Sequence, residues 1–429
     1  MNNKFEGARA CPSEDYDMTR NIVTRLNIKL DSCAPQQGLS KCCIYRVPNL
    51  LRNVKPEAYT PQLISIGPLH HGDAKLKIMQ RKKLICFREY RMSDERIMDL
   101  VNIIRKKEKD IRQYYSKNFD KIGSMDFIEM ILLDAVFIIE FIRESNVSED
   151  GPKNLEPWMM SDIKEDLMLL ENQLPFFIIE EIYDEVDRAR QELQSIPFLR
   201  LATFHLGKYG RSDEVNNDPK VEGSRHLTDL LRNLKLDGVI KRRFTFRNIK
   251  LKYSAVMLRK AGVKFQVTQD KCLVNIKFEK GVLKIPLLEV DYSFERVVRN
   301  IMALEQCHKP FEAYICSYIK FLDHLINSAE DVGLLVEKGI ILHWLGDDAA
   351  LSNMINKLNE NIGETSTCYD DICQKMNDHY KNPWNHRKAT LKLVYFTNVW
   401  RGTATVAAAI LLILTLIQTI ASVKSAFRV

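Results

Sequence analysis

The chain has 429 residues, of which 45% are hydrophobic and 28% charged; this composition is ordinary for a globular protein and excludes a largely disordered chain. Its 63 basic and 56 acidic residues give a net charge of +7. From His379 to Val429 there are seven Lys or Arg and no Asp or Glu, so the preceding part is neutral overall, which argues against a nucleic-acid-binding body.

Residues 1–40 form a polar N-terminal arm, which we expect to be disordered. Its start, MNNKFEGARACPSED, has no apolar stretch, so we expect no signal peptide. The ten cysteines of the chain show no framework spacing and no CxxC pair, so we expect reduced thiols. A globular body is expected over 41–395, with a polar loop at 207–224 between two halves.

Apolar spacing predicts a mainly α-helical body. Ser93 or Asp94 can cap a helix whose apolar residues recur three and four positions apart as far as Tyr115. Met125–Arg143 is apolar nearly all round but contains four acids, which predicts a buried core helix rather than a membrane span. Further helices are predicted over 162–174, from Pro175 to about 194, and over 253–261, 294–306, 311–328, 331–345, 347–361 and 366–380.

The period changes to two at Cys272–Phe278, where apolar residues alternate with others. After Glu279-Lys280-Gly281 comes Val282–Leu287, so the pattern predicts a β-hairpin with the glycine as a left-handed turn residue. Val263–Gln269 is predicted to be a third strand. The fold class is therefore mainly α, with a small antiparallel β-hairpin element.

One apolar run near the C-terminus has the length of a membrane span. Thr403–Val423 contains no charged residue, and its 21 residues would give about 31 Å of helix, roughly the thickness of the hydrocarbon core. We predict a transmembrane helix over 402–423 and a short basic tail at 424–429. The basic residues expected to meet anionic headgroups are Arg387, Lys388, Lys392, Arg401, Lys424 and Arg428.

The excess of basic residues before the span predicts a cytosolic body and a single-pass tail anchor in the plasma membrane or an endomembrane. Ala404 and Ala408 are four apart, as in close helix pairs, and indicate a homo-oligomer through the span. One sequon is present, at Asn146. The expected partners are thus the bilayer and unidentified proteins, without nucleic acid.

The best candidate for chemistry is the loop Gly67–Gly72, which contains His70 and His71. Adjacent histidines on an extended chain point to opposite sides, so they would rarely bind one metal ion together. In Glu305-Gln306-Cys307-His308, neighbours on a helix diverge by about 100°, so the thiol would not face the imidazole as a Cys–His couple requires. A hydrogen-bonded loop histidine and a buried structural cysteine are the simpler interpretations.

Four acids, Asp134, Glu140, Glu171 and Glu180, lie within apolar helices. Two buried carboxylates brought together would form an acid–base pair. Hydrogen bonds to helix ends explain these acids equally well, as do ion pairs with the nearby arginines Arg46, Arg52 or Arg81.

The chain has no Gly-rich dinucleotide motif, no Walker lysine loop, no HExxH and no GxSxG. We therefore predict no catalytic residue, no metal ligand and no cofactor. The candidate site residues that remain are His70, His71, Glu171, Glu305 and His308.

Eight segments carry a family resemblance, in this order: IYRVPNLLRNVKPEAYTPQLISIGPLHHG (44–72), LLDAVFIIEF (132–141), DLMLLENQLPFFIIEEIY (166–183), AGVKF (261–265), FEKGVLKIPLLEVD (278–291), RNIMALEQCH (299–308), DVGLLVEKGII-HWLG (331–346) and YFTNVW (395–400). They resemble the motifs of the plant family called "domain of unknown function 247", over roughly 40–423. The chain departs from the family at Val399, where proline is usual, and at Glu279-Lys280 and Asp291-Tyr292.

The resemblance implies a plant protein, since the family is plant-specific and consists mostly of single-pass membrane proteins without an established activity or cofactor. Some grass members are linked to pollen self-incompatibility, which implies recognition or signalling. We therefore expect a membrane-anchored, non-enzymatic protein that acts through protein partners. The alternative is a membrane-associated enzyme that uses the His70/His71 loop and buried carboxylates.

Overall fold

The computed structural model describes residues 12–32, 41–89, 92–147, 155–190, 196–207, 221, 223–363, 366–391 and 399–426. The helices of this part are α1 Pro12–Ser32, α2 Asn49–Arg52, α3 Lys77–Glu89, α4 Asp94–Gln113, α5 Ser124–Val147, α6 Pro157–Leu167, α7 Phe176–Arg190, α8 Phe198–Gly207, α9 Leu227–Lys235, α10 Ala255–Lys260, α11 Phe294–His308, α12 Tyr314–Leu325, α13 Ala329–Glu337, α14 Asp348–Leu358, α15 Asp370–Lys381, α16 Pro383–Thr390 and α17 Val399–Ala426. The strands are β1 Lys264–Thr268, β2 Lys277–Glu279, β3 Val282–Pro286, β4 Leu288–Val290 and β5 Ile341–His343. The predicted mainly α fold class is confirmed.

Helix α5 is the centre of the first group of helices, because its apolar residues face in nearly every direction. Phe127, Ile131, Ile138 and Ile142 are all completely buried. The helix packs against α3, α4, α7 and α8, so each side of it meets a neighbour. The prediction of a buried core helix is confirmed, and its burial removes a large apolar area from water.

Helix α4 begins where its cap was predicted. The Ser93 hydroxyl accepts a hydrogen bond from the Arg96 backbone N–H, which satisfies one of the free donors at a helix start. Leu100, Ile104 and Ile111 form the buried stripe against α5 and α7. This prediction, too, is confirmed.

A second group of helices surrounds α11. This helix packs against α9, α12 and α14 and against the short helical turn Pro56–Tyr59. Contacts between α8 and α9 join the two groups, and one hydrophobic core runs through both. The predicted loop at 207–224 falls mostly on 208–220 and 222, which lie outside the described residues.

The predicted hairpin is confirmed. Strand β2 is antiparallel to β3, and the turn between them places Lys280 and Gly281 at positive φ of 49° and 76°. Strand β1 is the predicted third strand and lies parallel to β3. The first hairpin strand is shorter than predicted, because the Asn275 side chain donates to Gly238 O and accepts from Ile240 N–H, so 272–276 turns toward that loop instead of extending the ladder.

The prediction of one helix over 331–345 was wrong. Helix α13 ends at Glu337, Gly339 follows with a φ of +66°, and Ile341–His343 forms β5. Glycine in the left-handed region is a common helix stop. Strand β5 pairs in parallel with β4. This two-stranded parallel sheet, which was not predicted, is separate from the sheet that contains the hairpin.

Two further boundaries also differ from the predictions. Helix α6 stops at Leu167 rather than near 174, because the Asn172 and Gln173 amides donate to backbone carbonyls of 166–169 instead of extending outward from a helix. In the N-terminal arm, expected to be disordered, Pro12–Ser32 forms α1. Met18, Ile22 and Leu26 recur at four residues, a spacing that supports a helix.

The C-terminal helix α17 contains the predicted span. Thr403–Val423 is long and apolar enough to cross a membrane, and none of its most apolar window is buried. Lys392 and Arg428 lie outside the described residues, and nothing is described of the side chains of Arg401 and Lys424.

Candidate functional site

The loop histidine His70 lies against a buried carboxylate from another part of the chain. Its Nε2 is 3.2 Å from Oε2 of Glu171, while Arg52 Nη2 is 2.5 Å from Oε1 of the same group. The Val47 backbone N–H also donates to Oε1, at 2.6 Å. Two predicted candidates, His70 and Glu171, are thus brought together, and Arg52 is the arginine partner that the sequence offered.

The environment of Glu171 keeps its carboxyl ionised. Burial by itself raises the pKa of a carboxyl, but the contact with His70 and the Arg52 guanidinium more than offset this and lower the pKa of Glu171 below its ordinary value. Both carboxylate oxygens are therefore occupied by fixed neighbours. The carboxylate is thus held by three groups of the protein itself, two on Oε1 and one on Oε2.

His71 faces away from this cluster. Its residue is exposed, whereas the neighbouring His70 side chain is only 13% exposed. The prediction assumed an extended chain, but the two histidines lie in a turn in which the Asp73 N–H donates to the His70 carbonyl. Among the described residues, no group of three or more His, Cys, Asp or Glu is placed to hold a metal ion.

The chain before the histidine loop, residues 62–67, is held by side chains rather than by a β-ladder; we call it the buried segment. Asp166 accepts hydrogen bonds from the N–H groups of Gln62, Leu63 and Ile64, at 2.7 to 2.9 Å. Asn172 Oδ1 accepts from Ile66 N–H at 2.6 Å. Buried backbone groups need such partners, so the acid and the amide replace a neighbouring strand.

A buried ion pair completes these contacts. Lys83, on α3, donates to Asp134 on α5 and to the Ser65 carbonyl, and both charged side chains are almost fully buried. Asp134 also accepts from Gly67 N–H at 2.7 Å. Burial raises the pKa of Asp134, although Lys83 opposes the shift. From the sequence, Asp134 was singled out but Lys83 and Asp166 were missed. The only sequence signal for these two residues was a charge at a helix position where the apolar spacing calls for an apolar residue.

Gly67 fits this site because it has no side chain. Its φ is +68°, and a Cβ there would lie 2.7 Å from the Gln173 carbonyl oxygen and 3.0 Å from the Tyr115 hydroxyl. Tyr115 donates to that same carbonyl. Any larger residue would displace backbone, so the glycine of the motif is needed for packing.

The candidate Glu305 has a separate, structural position. It is completely buried on α11 and accepts from the backbone N–H groups of Ile315 and Cys316 in the first turn of α12. Arg232 Nε donates to it at 2.8 Å. A carboxylate at a helix start satisfies free donors and the helix dipole, so Glu305 joins α9, α11 and α12 rather than serving His308.

His308 meets Tyr45 instead, with its Nδ1 3.2 Å from the tyrosine hydroxyl. Burial lowers the pKa of His308. Burial also raises the pKa of the neighbouring Cys307 thiol to about 11, and the charges of Cys42 and Glu171 add to this rise. All eight cysteines of the described part are free, in agreement with the expected reduced thiols.

We expect Cys307 in the folded chain to react slowly with iodoacetamide. At pH 8 a thiol of pKa about 11 is only about one-thousandth thiolate, roughly 200-fold less than an ordinary cysteine of pKa near 8.5. Mass-spectrometric labelling rates of native and urea-unfolded protein would measure this difference. Equal rates would contradict an inert thiol and support a nucleophile.

His226, which the sequence did not single out, is buried at the start of α9. Its Nδ1 accepts from Asp229 N–H at 3.3 Å, and its Nε2 lies 3.2 Å from the Cys43 carbonyl oxygen. The ring is therefore neutral, with its proton on Nε2. Burial lowers the pKa of His226 from 6.5 to about 4.

This histidine should make the fold sensitive to acid. Between about pH 6.5 and pH 4 the unfolded chain binds a proton that folded His226 refuses, so stability falls as the pH falls, by about 3 kcal/mol in all. Urea unfolding measured across this pH range gives the free energy of unfolding at each pH. For His226→Asn, the plot of this free energy against pH should have a shallower slope, since asparagine caps a helix without titrating. His324, whose pKa burial also lowers to about 4, remains as a second contributor. An unchanged slope would contradict the role of His226.

Comparison with known proteins places these motifs in a family. The family model DUF247, described as plant protein of unknown function, matches residues 44–414. The UPF0481 protein At3g47200 of Arabidopsis thaliana is 28% identical over an alignment 427 residues long, which covers 90% of this chain and 87% of the relative. A second UPF0481 protein of that plant, described as putative, At3g02645, is 23% identical over an alignment 520 residues long, which covers 96% of each chain. No solved structure matches the chain.

Proposed function

The chain belongs to the plant family DUF247, whose function is unknown, and from this premise we propose that it is a single-pass membrane protein that acts in recognition or signalling through protein partners. The observation that carries the anchoring is the apolar, uncovered stretch Thr403–Val423 in α17. Apolar helix of this length is far more stable in hydrocarbon than in water. We place the body on the cytosolic side, as the basic residues before the span favour.

The non-enzymatic part of the proposal is supported by what the polar motif residues contact. Asp166 and Glu305 bind backbone N–H groups, and Lys83 and Arg232 neutralise buried acids. Groups that hold the fold in this way are fully used within it. The presence of Asp166 and Glu305 in the family motifs is thus explained by packing, without a reaction.

Partner binding is supported by exposed apolar residues on a strand edge. Leu342 in β5 and Trp344, which directly follows the strand, are 46% and 51% exposed. The Trp344 N–H still donates to the Val290 carbonyl of β4, so the two side chains, two residues apart, point to the same side. The strand is paired only with β4, so no other strand of the described part covers its other edge. Exposed tryptophan beside such an edge is typical of protein contact sites.

Membrane topology in plant cells tests the proposal most directly. We expect the full chain to stay in membranes after alkaline carbonate extraction and its body to be digested by protease added to sealed microsomes. A sequon added in the N-terminal arm should remain unglycosylated; the natural Asn146 serves less well, because its amide donates to Leu201 O at 3.0 Å. Extraction by carbonate would overturn the anchor, and a protected, glycosylated body would overturn the cytosolic side.

The enzyme alternative is tested at the histidine loop. If the loop is structural, the double variant His70→Ala with His71→Ala should keep the localisation of the protein and the phenotype of the plant that carries it. His71→Ala alone is the control for the exposed ring. A double variant that is folded and anchored but has lost its phenotype would favour the enzyme. The partner surface is tested by a photo-crosslinking residue at Trp344, against the control position Phe246, which is more exposed, at 69% against 51%. Adducts at both positions or at neither would remove β5 from the proposal.

A further inference from the structure

One face of helix α16 is fixed firmly on the body. Asn385 Nδ2 donates to the His379 carbonyl at 2.8 Å, and His386 Nε2 lies 2.7 Å from the Tyr380 carbonyl oxygen. Ala389 is buried and packs so closely on the turn before β1 that a Cβ on Gly262 would lie 3.2 Å from it. The opposite face of α16 therefore has a defined orientation on the body surface.

That opposite face carries Trp384, Arg387, Lys388 and the following Leu391, at positions i, i+3, i+4 and i+7. All four are exposed, with Trp384 73% and Leu391 50% accessible. The Arg387 guanidinium lies over the indole ring, 5.4 Å from its centre. An aromatic ring, an aliphatic chain and two long cationic side chains on one helix face are the combination found where helices rest in a bilayer interface.

The surroundings of this face are also basic. Helices α10 and α15, the turn between β2 and β3, and strand β1 carry five exposed lysines, namely Lys260, Lys264, Lys280, Lys375 and Lys381. Of these elements, α10 and α15 contact α16. In the part of the chain that is described, neither these lysines nor Arg387 and Lys388 form an ion pair with a carboxylate. Three exposed acids on the same elements, Glu279, Asp371 and Asp378, leave the region positive. Its unneutralised charge favours an anionic surface.

We propose that this face of α16 docks the body on an anionic lipid leaflet, an inference that rests on the anchoring proposed above. Thr403, the start of the span, follows Leu391 by twelve residues, which reach about 40 Å at most. Anchoring thus keeps α16 close to the headgroups. An acidic protein would have to compete with these headgroups for the same basic face of α16. The docked α16 sets the orientation of the whole body, including the β5 edge, relative to the membrane.

The depth of Trp384 tests the docking. The full chain, with Trp158, Trp344 and Trp400 replaced by Phe, is reconstituted in nanodiscs of phosphatidylcholine, with or without phosphatidylserine, and brominated acyl chains quench tryptophan near the hydrocarbon. We expect quenching of Trp384 in the anionic discs, reversed by high salt. Equal quenching in neutral discs would overturn the anionic preference, and none in either would overturn the docking and leave the face to a protein.

Charge reversal provides the matched comparison. Arg387→Glu with Lys388→Glu should weaken docking at least about 25-fold, since each basic residue near such a surface contributes about five-fold. Arg105→Glu with Lys106→Glu makes the same change in an exposed pair on α4 and should leave quenching unchanged. A chain that fails to integrate overturns the anchor and the docking together, whereas an integrated chain with unquenched Trp384 overturns the docking alone.

Discussion

Replacing Lys83 by methionine should lower the free energy of unfolding by about 3 to 5 kcal/mol. Methionine fills the same space on α3, but it leaves the Asp134 carboxylate buried without its cation and the Ser65 carbonyl without its donor. Keeping an unpaired charge buried costs far more free energy than the apolar contacts of the methionine side chain contribute. Urea unfolding of the full chain in mild detergent, followed by tryptophan fluorescence, would measure the change.

Two further variants test whether the loss of stability comes from the buried ion pair itself. Arg81→Met alters an exposed residue of the same helix and should shift stability by less than about 0.5 kcal/mol. Adding Asp134→Asn to Lys83→Met removes the stranded charge while an amide oxygen still faces Gly67 N–H, so it should recover at least about 1 kcal/mol. If Lys83→Met behaves like Arg81→Met, the ion pair does not stabilise the fold.

Placing arginine at Leu411 and Leu414 should release the chain from membranes. Each arginine at the centre of a span costs about 2.5 to 3.5 kcal/mol and each lost leucine removes about 0.5, so the pair shifts insertion by about 6 to 8 kcal/mol. That is more than a ten-thousand-fold change in the inserted fraction. Carbonate extraction of microsomes would measure it.

The matched control for this variant puts the same two arginines at Thr403 and Val423, the ends of the span. There the side chains reach the headgroups, so the chain should stay in the membrane. If the central arginines also leave the chain membrane-bound, α17 is not the anchor and another feature holds the protein at the membrane.

Sequence predicted the elements that depend on local periodicity. The cap at Ser93, the core helix around Phe127–Ile142 and the turn at Gly281 each follow from spacings within a few residues, and all are present. Strand β5 was missed because three residues carry no period of their own and become a strand only by pairing with β4, fifty residues earlier. The end of α6 was missed because Asn172 and Gln173 compete with the helix through side-chain bonds that no pattern reveals.

The candidate site was predictable in its geometry within one element but not between elements. Helical divergence predicted that the Cys307 thiol would not face the His308 imidazole, and His308 contacts Tyr45 in the structure. His70 and His71, predicted on an extended chain, lie in a turn instead. The contact of His70 with Glu171 joins residues a hundred positions apart, for which one sequence contains no signal. The same holds for Asp166, whose three backbone bonds to the buried segment are visible only once the chain has folded.

The long span of those bonds has a consequence for synthesis. Gln62 and its acceptor Asp166 are 104 residues apart, so the buried segment leaves the ribosome well before the group that will hold it. At about 5 to 20 residues per second, the segment stays unpaired for roughly 5 to 20 s. During that interval its apolar residues Ile64 and Ile66, later fully buried, are open to chaperones and proteases. The synthesis of the first third of the body is therefore the stage at which chaperones and proteases would recognise and remove a chain with a defective α5 or α6.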